Sequence, residues 1–251
     1  MTPVNDNLIL IGGKSASGKS ASLMNIRDPA GVMYFNCESG KKLPFRNEFQ
    51  NFTITDPMEV LKGFQVAETK PEVHTIVVDT LTYLMDMYES VYVIPADDGR
   101  SAWQGYAQFF RQLMQSYVAR STKNVIFFAH LKDQLNETEM VNETFVPIKG
   151  ATQNNGVESF FSVVLSSKRV STDSLQPYQD MLALDTVTDH GLLNVTEDNL
   201  LDTYKHVFQT RNTVNERIRS PIGMWSRSET YIDNDIQNVL DRLNTHYHPQ
   251  P

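Results

Sequence analysis

Short apolar runs alternate along the chain with stretches whose apolar residues recur at helical spacing. The apolar and β-branched runs predict buried strands, and the amphipathic stretches predict helices. The predicted strands lie at 7–12, 31–37, 52–55, 73–78, 124–129, 160–165 and 204–210. The predicted helices lie at 21–27, 57–68, 81–91, 103–120 and 233–245, the last capped by Asp233. Strands that alternate with helices indicate an α/β fold with a mostly parallel central sheet and helices on both faces.

Three other stretches lack a clear period. Residues 95–100 predict a loop, and residues 131–156 are polar and poorly periodic. Residues 171–203 indicate an insertion, which we expect to carry a hairpin strand at 181–187. With 251 residues and no obvious linker or repeat, residues 1–251 predict a single domain that holds this insertion and the C-terminal helix.

Composition limits the classes of partner and compartment. The net charge of −8 excludes a basic surface coat, so any contact with nucleic acid must be local, through loops, or summed over an oligomer. The single cysteine, Cys37, excludes an intrachain disulfide and a cysteine-rich zinc site and favours a reducing compartment. The sequence shows neither a run of membrane-spanning length nor a signal pattern, so we expect a cytoplasmic protein.

The strongest chemical signal lies between Gly13 and Ser20. This segment matches the phosphate-loop pattern G-x-x-x-x-G-K-[ST] at every fixed position, between a predicted strand and a predicted helix. That context points backbone N–H groups at a phosphate, whereas the alternative is a glycine-rich turn without a ligand. We expect Lys19 to reach the β- and γ-phosphates and Ser20 to hold Mg²⁺. The expected nucleotide-binding residues are Gly13, Lys14, Ser15, Ala16, Ser17, Gly18, Lys19 and Ser20.

Polar residues also end the predicted strands, at Gly12, Glu38, Asp79 and His130. The carboxyl ends of parallel strands meet at one edge of a sheet, where ligands bind. Val77-Val78-Asp79 has the form of a Walker B strand, whose carboxylate holds Mg²⁺ beside Ser20; capping of the next helix is the alternative. No glutamate follows Asp79, so Glu38 is the best candidate to activate water, unless it is a solvated carboxylate in a turn.

Together these motifs resemble the RecA-like recombinase and helicase ATPases over most of residues 7–225. The resemblance implies ATP and Mg²⁺ as ligands, Glu38 as the base and His130 as a sensor of the γ-phosphate. Histidine at that position is similar to a phage-encoded branch, the RecA-like single-strand annealing and recombination ATPases. Arg217 and Arg219 match a basic segment that reaches the neighbouring subunit's nucleotide. The implied catalytic set is therefore Glu38, Lys19, His130, Arg217 and Arg219, although a core or surface histidine and a solvated basic turn stay open.

The same resemblance implies a DNA-stimulated ATPase that forms a homo-oligomeric ring or filament. It would act on single-stranded DNA in phage-type recombination, annealing or replication, in the bacterial host cytoplasm, with a single-strand-binding or recombination protein as a further partner. The matching DNA loops are residues 91–102 and 131–156. Their candidate contacts are Arg100, Trp103, Lys132 and Lys149. This signal is weak, because both loops also carry acidic residues.

Lys14 leaves another family open. It directly follows Gly13, which is the spacing of the deviant phosphate loop in ParA-like dimeric ATPases, where this lysine crosses to the partner's nucleotide. ParA-like proteins usually have glycines where Ser15 and Ala16 stand, and they lack the glutamate at the end of the second strand. A ParA-like switch and a nucleotide-binding interaction protein with little turnover are therefore the alternative functions.

Overall fold

The structure is a computed structural model that describes residues 5–136, 141–150, 156–184, 192–212 and 218–248. The strands of the first half are β1 (Leu8–Gly13), β2 (Val32–Asn36), β3 (Gln50–Thr53), β4 (Thr75–Asp79) and β5 (Asn124–His130). Those of the second half are β6 (Lys132–Asn136), β7 (Val141–Phe145), β8 (Val163–Ser171), β9 (Tyr204–Gln209) and β10 (Tyr231–Asp233).

Eight strands form the central sheet in the order β10-β9-β8-β1-β5-β4-β2-β3. The strands from β8 to β3 run parallel, while β9 pairs antiparallel with both β8 and β10. In this register Gly13 lies opposite His130, and Asn36 lies opposite Asp79. The carboxyl ends of β1, β5, β4 and β2 therefore meet at one edge, as the sequence predicts.

The helices are α1 (Met58–Glu68), α2 (Leu81–Tyr88), α3 (Gly99–Gln112), α4 (Thr172–Leu184), α5 (Glu197–Asp202) and α6 (Ile236–Tyr247). A π-helical turn, Glu89–Val93, extends α2, and another, Leu113–Tyr117, extends α3. In the described part of the chain, none of these helices has the length and apolar character that crossing a lipid bilayer requires.

The sheet is covered on both faces because successive side chains of a strand point to opposite sides. Leu8 and Leu10 of β1 join a core cluster with residues of α1, α2 and α3. Ile9 and Ile11 join a second cluster, which includes the buried face of α6. This confirms the expected α/β architecture with a mostly parallel sheet and helices on both faces.

Two predicted elements are wrong. The stretch 21–27 forms only a short 3-10 helix, Ser20–Leu23, because the Ser22 hydroxyl donates back to the Lys19 carbonyl and Asp28 adopts a left-handed conformation before Pro29. The sequence predicts a strand at 181–187, but residues 181–184 belong to α4, and 185–187 lie outside the described residues. Leu175, Tyr178 and Leu182 follow a helical spacing and pack in one small apolar cluster with Val207 of β9.

Other boundaries differ by a few residues. The last helix begins at Ile236, and Asp235 caps it by accepting from the Gln237 backbone N at 2.9 Å, so the predicted cap Asp233 is wrong. The helix predicted at 103–120 begins at Gly99, because Asp98 caps it. Within 131–156, β6 and β7 form an antiparallel hairpin that the sequence did not predict.

Candidate active site

The loop from Gly13 to Ser20 joins β1 to the short 3-10 helix. Lys19 is buried, and its Nζ folds back over the loop to donate to the Gly13 carbonyl at 2.8 Å and the Lys14 carbonyl at 3.0 Å. Burial lowers the pKa of Lys19 to about 8, against the opposing influence of Asp79 and Glu38. The loop thus holds a desolvated ammonium group, which an anionic ligand would stabilise in its charged form.

Asp79, at the end of β4, lies directly beside the loop. Its Oδ2 accepts from Ser20 Oγ at 2.7 Å and from the Tyr34 hydroxyl at 2.5 Å. Its Oδ1 is buried and has no hydrogen-bond partner in the part of the chain that the structure describes. Burial raises the pKa of this carboxyl, although the bonds from Tyr34 and Ser20 oppose that shift.

These oxygens fit a magnesium ion. A hydroxyl and a carboxylate are suitable donors, and a partnerless buried carboxylate oxygen is a natural ligand, directly or through water. The described residues contain no group of three or more histidine, cysteine or acidic side chains that could hold a metal. Ser20 and Asp79 would therefore share the ion with oxygen atoms of a ligand and of water.

Glu38 follows β2 and contacts His130 at the end of β5. His130 Nε2 donates to Glu38 Oε1 at 3.2 Å, and Lys41 Nζ lies 3.1 Å from Glu38 Oε2. The bond from His130 is the largest cause that lowers the pKa of Glu38 to about 2; burial opposes the shift and Lys41 adds to it. The His130 ring also lies edge-on to the half-exposed ring of Tyr83, with 5.4 Å between centroids.

A cavity of about 330 Å³ unites these groups. Its lining comprises residues 15–21 of the loop region together with Tyr34, Glu38, Lys41, Lys42, Leu43, Pro44, Asp79, His130, His206 and Asn234. A larger cavity of about 580 Å³ shares Ser15, Ala16 and Ser17 with it, but Lys19, Ser20, Glu38 and Asp79 do not line the larger one. We therefore assign the candidate nucleotide site to the smaller cavity, which holds the chemistry.

Sequence reasoning missed Tyr34, Lys41, His206 and Asn234, which line this cavity, and Ser167, which contacts the phosphate loop from the larger cavity. Ser167 Oγ and His206 Nδ1 lie 3.0 Å and 2.7 Å from the Ser17 carbonyl oxygen. Asn234 Nδ2 donates to the Gly18 carbonyl at 2.8 Å. A polar hydroxyl inside the apolar run of β2 could have signalled Tyr34, whereas nothing local distinguishes His206 or Asn234.

Two other predicted site residues, Lys14 and Arg219, lie away from this cavity. Lys14 points to Asp133 of β6, with 2.6 Å between Nζ and Oδ2, and it lines only the larger cavity. Arg219 is exposed; its backbone pairs with Val164 of β8, and its guanidinium donates to the Ser159 carbonyl at 3.3 Å. Arg219 therefore does not line the nucleotide cavity of its own chain. Arg217 lies outside the described residues.

The predicted DNA loops are more ordered than expected. Most of residues 91–102 is helical, because the π turn reaches Val93 and α3 starts at Gly99, so a loop across that whole stretch is wrong. Arg100 and Lys132 are exposed, whereas Trp103 is half-buried with its ring 5.2 Å from that of Tyr106. Lys149 pairs with Glu89 at 2.6 Å, and residues 153–155 lie outside the described part.

Comparison with known proteins adds one match. A family model described as an AAA domain matches residues 5–215, which include the phosphate loop, β4 and β5. No curated protein matches the chain. The matched range contains Glu38, Asp79, His130 and His206, and it ends before Arg219 and Asn234.

Proposed function

The chain belongs to the AAA domain family of P-loop ATPases, and from that premise we propose how it uses its nucleotide and on what it acts. It binds ATP with Mg²⁺ in the 330 Å³ cavity and hydrolyses it with Glu38 as the base. It acts on single-stranded DNA as a RecA-like protein of the phage annealing and recombination type. The observation that carries the proposal is that Glu38, Asp79 and Lys19 line one cavity with the phosphate loop.

The phosphate loop binds the triphosphate through charge and backbone N–H groups. Lys19 would exchange its bonds to the loop carbonyls for the phosphate oxygens, and Lys41 and Lys42 add positive charge to the same cavity. Ser20 and Asp79 would hold Mg²⁺, which would neutralise charge on the phosphate oxygens when bound. The partnerless Oδ1 of Asp79 supports this assignment.

Glu38 activates the attacking water. In hydrolysis, the water oxygen bonds to the γ-phosphorus, the bond to the bridging oxygen of ADP breaks, and a proton of the water passes to the Glu38 carboxylate. A carboxyl with a pKa of about 2 is a weak base, and His130 is the main cause of that low value. Movement of His130 from Glu38 toward the γ-phosphate would therefore both sense ATP and strengthen the base.

Oligomer and DNA contacts extend the proposal beyond one subunit. Arg219 is exposed and away from its own cavity, as a cation that serves a neighbouring subunit would be, and Arg217 lies close to it in sequence. Arg100 and Lys132 are exposed cations on the two segments that match the family's DNA loops. A ring or filament of such subunits would sum these few local positive charges along a DNA strand.

Phosphate release tests the activity and the DNA requirement. We expect hydrolysis of ATP with Mg²⁺ that increases when a single-stranded oligothymidylate is added. Glu38→Gln should lower turnover by about 100-fold or more while ATP binding persists. Undiminished turnover in this variant would exclude Glu38 as the base, and no response to single-stranded DNA would exclude the DNA-stimulated function.

Mixing variants tests the action between subunits. Arg219→Ala should lose turnover, and addition of Glu38→Gln subunits, which keep Arg219, should restore part of it. Arg227→Ala removes another exposed arginine and should keep the wild-type rate. Failure of every mixing ratio to restore activity would contradict the assignment of Arg219 to a neighbouring site.

A further inference from the structure

Side chains of β8 and β9 and of the residue after β10 contact the phosphate loop. Ser167 of β8, His206 of β9 and Asn234, directly after β10, converge on the carbonyl oxygens of Ser17 and Gly18. Ser167 Oγ also lies 3.1 Å from Asn234 Oδ1, so its single proton serves either acceptor. We propose that His206 and Asn234 are positioning residues that set the affinity of the phosphate loop for ATP. This inference rests on the proposed function.

Peptide geometry connects these contacts to the ligand. The C=O and the following N–H of a trans peptide point in opposite directions. When His206 and Ser167 hold the Ser17 carbonyl, the N–H of Gly18 must point the opposite way. The same holds for the N–H of Lys19, because the Gly18 carbonyl accepts from Asn234 and also from the Ser22 backbone N at 3.1 Å.

The two amide groups so aimed are available for a ligand. In the described part of the chain, neither the Gly18 N–H nor the Lys19 N–H donates to another protein group. The buried Ser17 Oγ likewise has no hydrogen-bond partner within the described residues. Unpaired donors inside a folded protein are costly, and phosphate oxygens would satisfy them.

Gly18 packs closely against the side chains of Asn234 and His206. Gly18 has a φ of +101°, and a Cβ built there would lie 2.8 Å from Asn234 Nδ2 and 3.1 Å from His206 Nδ1. Because a carbonyl oxygen only accepts, the Nδ1 atom of His206 carries the proton in this contact. His206 thus acts on the loop as a donor, and loss of that donor should free the Ser17 peptide to rotate.

Three substitutions isolate this role. His206→Phe keeps a ring but removes the donor, whereas His206→Asn keeps a nitrogen donor at the same number of bonds from the backbone. His74→Phe is the matched control, because His74 Nε2 also lies 2.9 Å from a loop carbonyl, that of Asp28, but next to the amino end of β4 and outside the cavity lining. ATP affinity is measured by titration calorimetry with ATP and Mg²⁺, and KM and kcat by phosphate release.

We expect His206→Phe to raise the Kd and KM for ATP about tenfold while kcat stays within about twofold. His206→Asn should return the Kd to within about threefold of wild type, and His74→Phe should not change it. If His206→Phe fails to fold, Asn234→Ala provides the same measurement at the Gly18 carbonyl.

Unchanged affinity in a folded His206→Phe or Asn234→Ala protein would overturn the inference, as would an equal loss in His74→Phe. A His206→Asn protein that binds as weakly as His206→Phe would also overturn it. These results leave ATP hydrolysis by the wild-type protein intact. A wild-type protein that does not bind ATP with Mg²⁺ would instead remove the proposed function itself.

Discussion

The hydroxyl of Tyr34 donates to Oδ2 of Asp79 over 2.5 Å, within the carboxyl edge of the sheet. Burial is the largest cause that raises the pKa of the Tyr34 phenol, and the Asp79 charge adds to it, so the phenol stays a donor at neutral pH. Together with Ser20, Tyr34 occupies one oxygen of the carboxylate and leaves Oδ1 as the oxygen without a partner. Tyr34 of β2 thus orients Asp79, the carboxylate to which we assign magnesium binding.

Removal of this hydroxyl should weaken both folding and magnesium use. Tyr34→Phe leaves the buried carboxylate with one donor fewer, which we expect to cost about 1.5–3 kcal/mol of unfolding free energy. The Mg²⁺ concentration for half-maximal phosphate release should rise several-fold. Urea unfolding and a magnesium titration check the two effects.

Tyr88→Phe is the control for this substitution, because Tyr88 is also a buried tyrosine, and within the described residues its hydroxyl makes no hydrogen bond. It should change neither quantity by more than a small amount. A Tyr34→Phe protein with wild-type magnesium dependence would show that Tyr34 does not orient Asp79.

Binding of ATP should take up a proton at alkaline pH. The pKa of Lys19 is about 8 in the free protein, and contact with a triphosphate should raise it. Well below pH 8 the amine is protonated in both states, so affinity is full there; well above pH 8 the free protein has lost the proton and must regain it on binding. Affinity should therefore fall as pH rises past 8, by at most about tenfold per pH unit.

Calorimetry at pH 8.5 in two buffers of different ionisation enthalpy measures this uptake directly. Lys41→Met should show a similar but slightly smaller uptake. Glu38 raises the pKa of Lys41, so Lys41 itself stays charged at this pH, and its charge is the smallest of the causes that act on the pKa of Lys19. Equal heats in the two buffers would contradict a neutral Lys19 in the free protein.

His130 should control the acidity of Glu38. In His130→Ala the pKa of Glu38 should rise from about 2 toward its usual value of 4.5, because the largest cause of the low value is removed while burial persists. Because folding lowers the pKa of Glu38, its carboxylate stabilises the wild-type fold above pH 4.5, and this stabilisation is lost as pH falls toward 2. Carbon-13 NMR titration of the carboxyl groups measures the shift.

Glu59 serves as an internal reference in the same titration. Its pKa is lowered mainly by the backbone N–H groups of Thr55 and Asp56, so substitution of His130 should leave it in place. A Glu38 pKa that stays near 2 in His130→Ala would assign the low value to Lys41 alone.

Gly63 marks a tight contact between α1 and β2. A Cβ built on Gly63 would lie 2.4 Å from Cζ of Phe35, which is buried against Phe52 and Phe64. Gly63→Ala should therefore destabilise the fold by about 1–3 kcal/mol, despite alanine's higher helix propensity. Chemical unfolding measures the loss.

Gly99→Ala provides the control, because a Cβ at Gly99 meets no atom within 4 Å. It should be neutral or slightly stabilising, and Phe35→Leu should reduce the penalty at Gly63 by making room. A Gly63→Ala protein as stable as wild type would show that α1 can shift away from β2 at little cost.

The sequence pattern predicted secondary structure best for the strands that are buried on both faces of the sheet. β1, β2, β4 and β5 are continuous apolar runs in the centre of the sheet, and their ends carry the loop, Glu38, Asp79 and His130. Both the strands and the edge where they meet could be predicted, because burial and topology follow from a local pattern. Glu38 and His130 come into contact because the strands that precede them end at the same edge of the sheet.

Other features depend on neighbours that are distant in sequence. The hairpin of β6 and β7 was missed because most of its residues are polar and those of β6 are mostly exposed, so burial imposes no period. The helix predicted after the phosphate loop failed because Ser22 and Asp28 favour turns over a continuing helix. His206 and Asn234 gave no local signal, since their partners lie 189 and 216 residues away.

The span of these contacts bears on how the protein is made. A ribosome synthesises Gly18 of the phosphate loop first, and Asn234, which donates to the Gly18 carbonyl, follows 216 residues later. Contacts of such long range form late in folding. A nascent chain should therefore carry an unfinished phosphate loop until Asn234 has been synthesised, and the ATP that we propose for this site can stabilise the newborn protein fully only after that point.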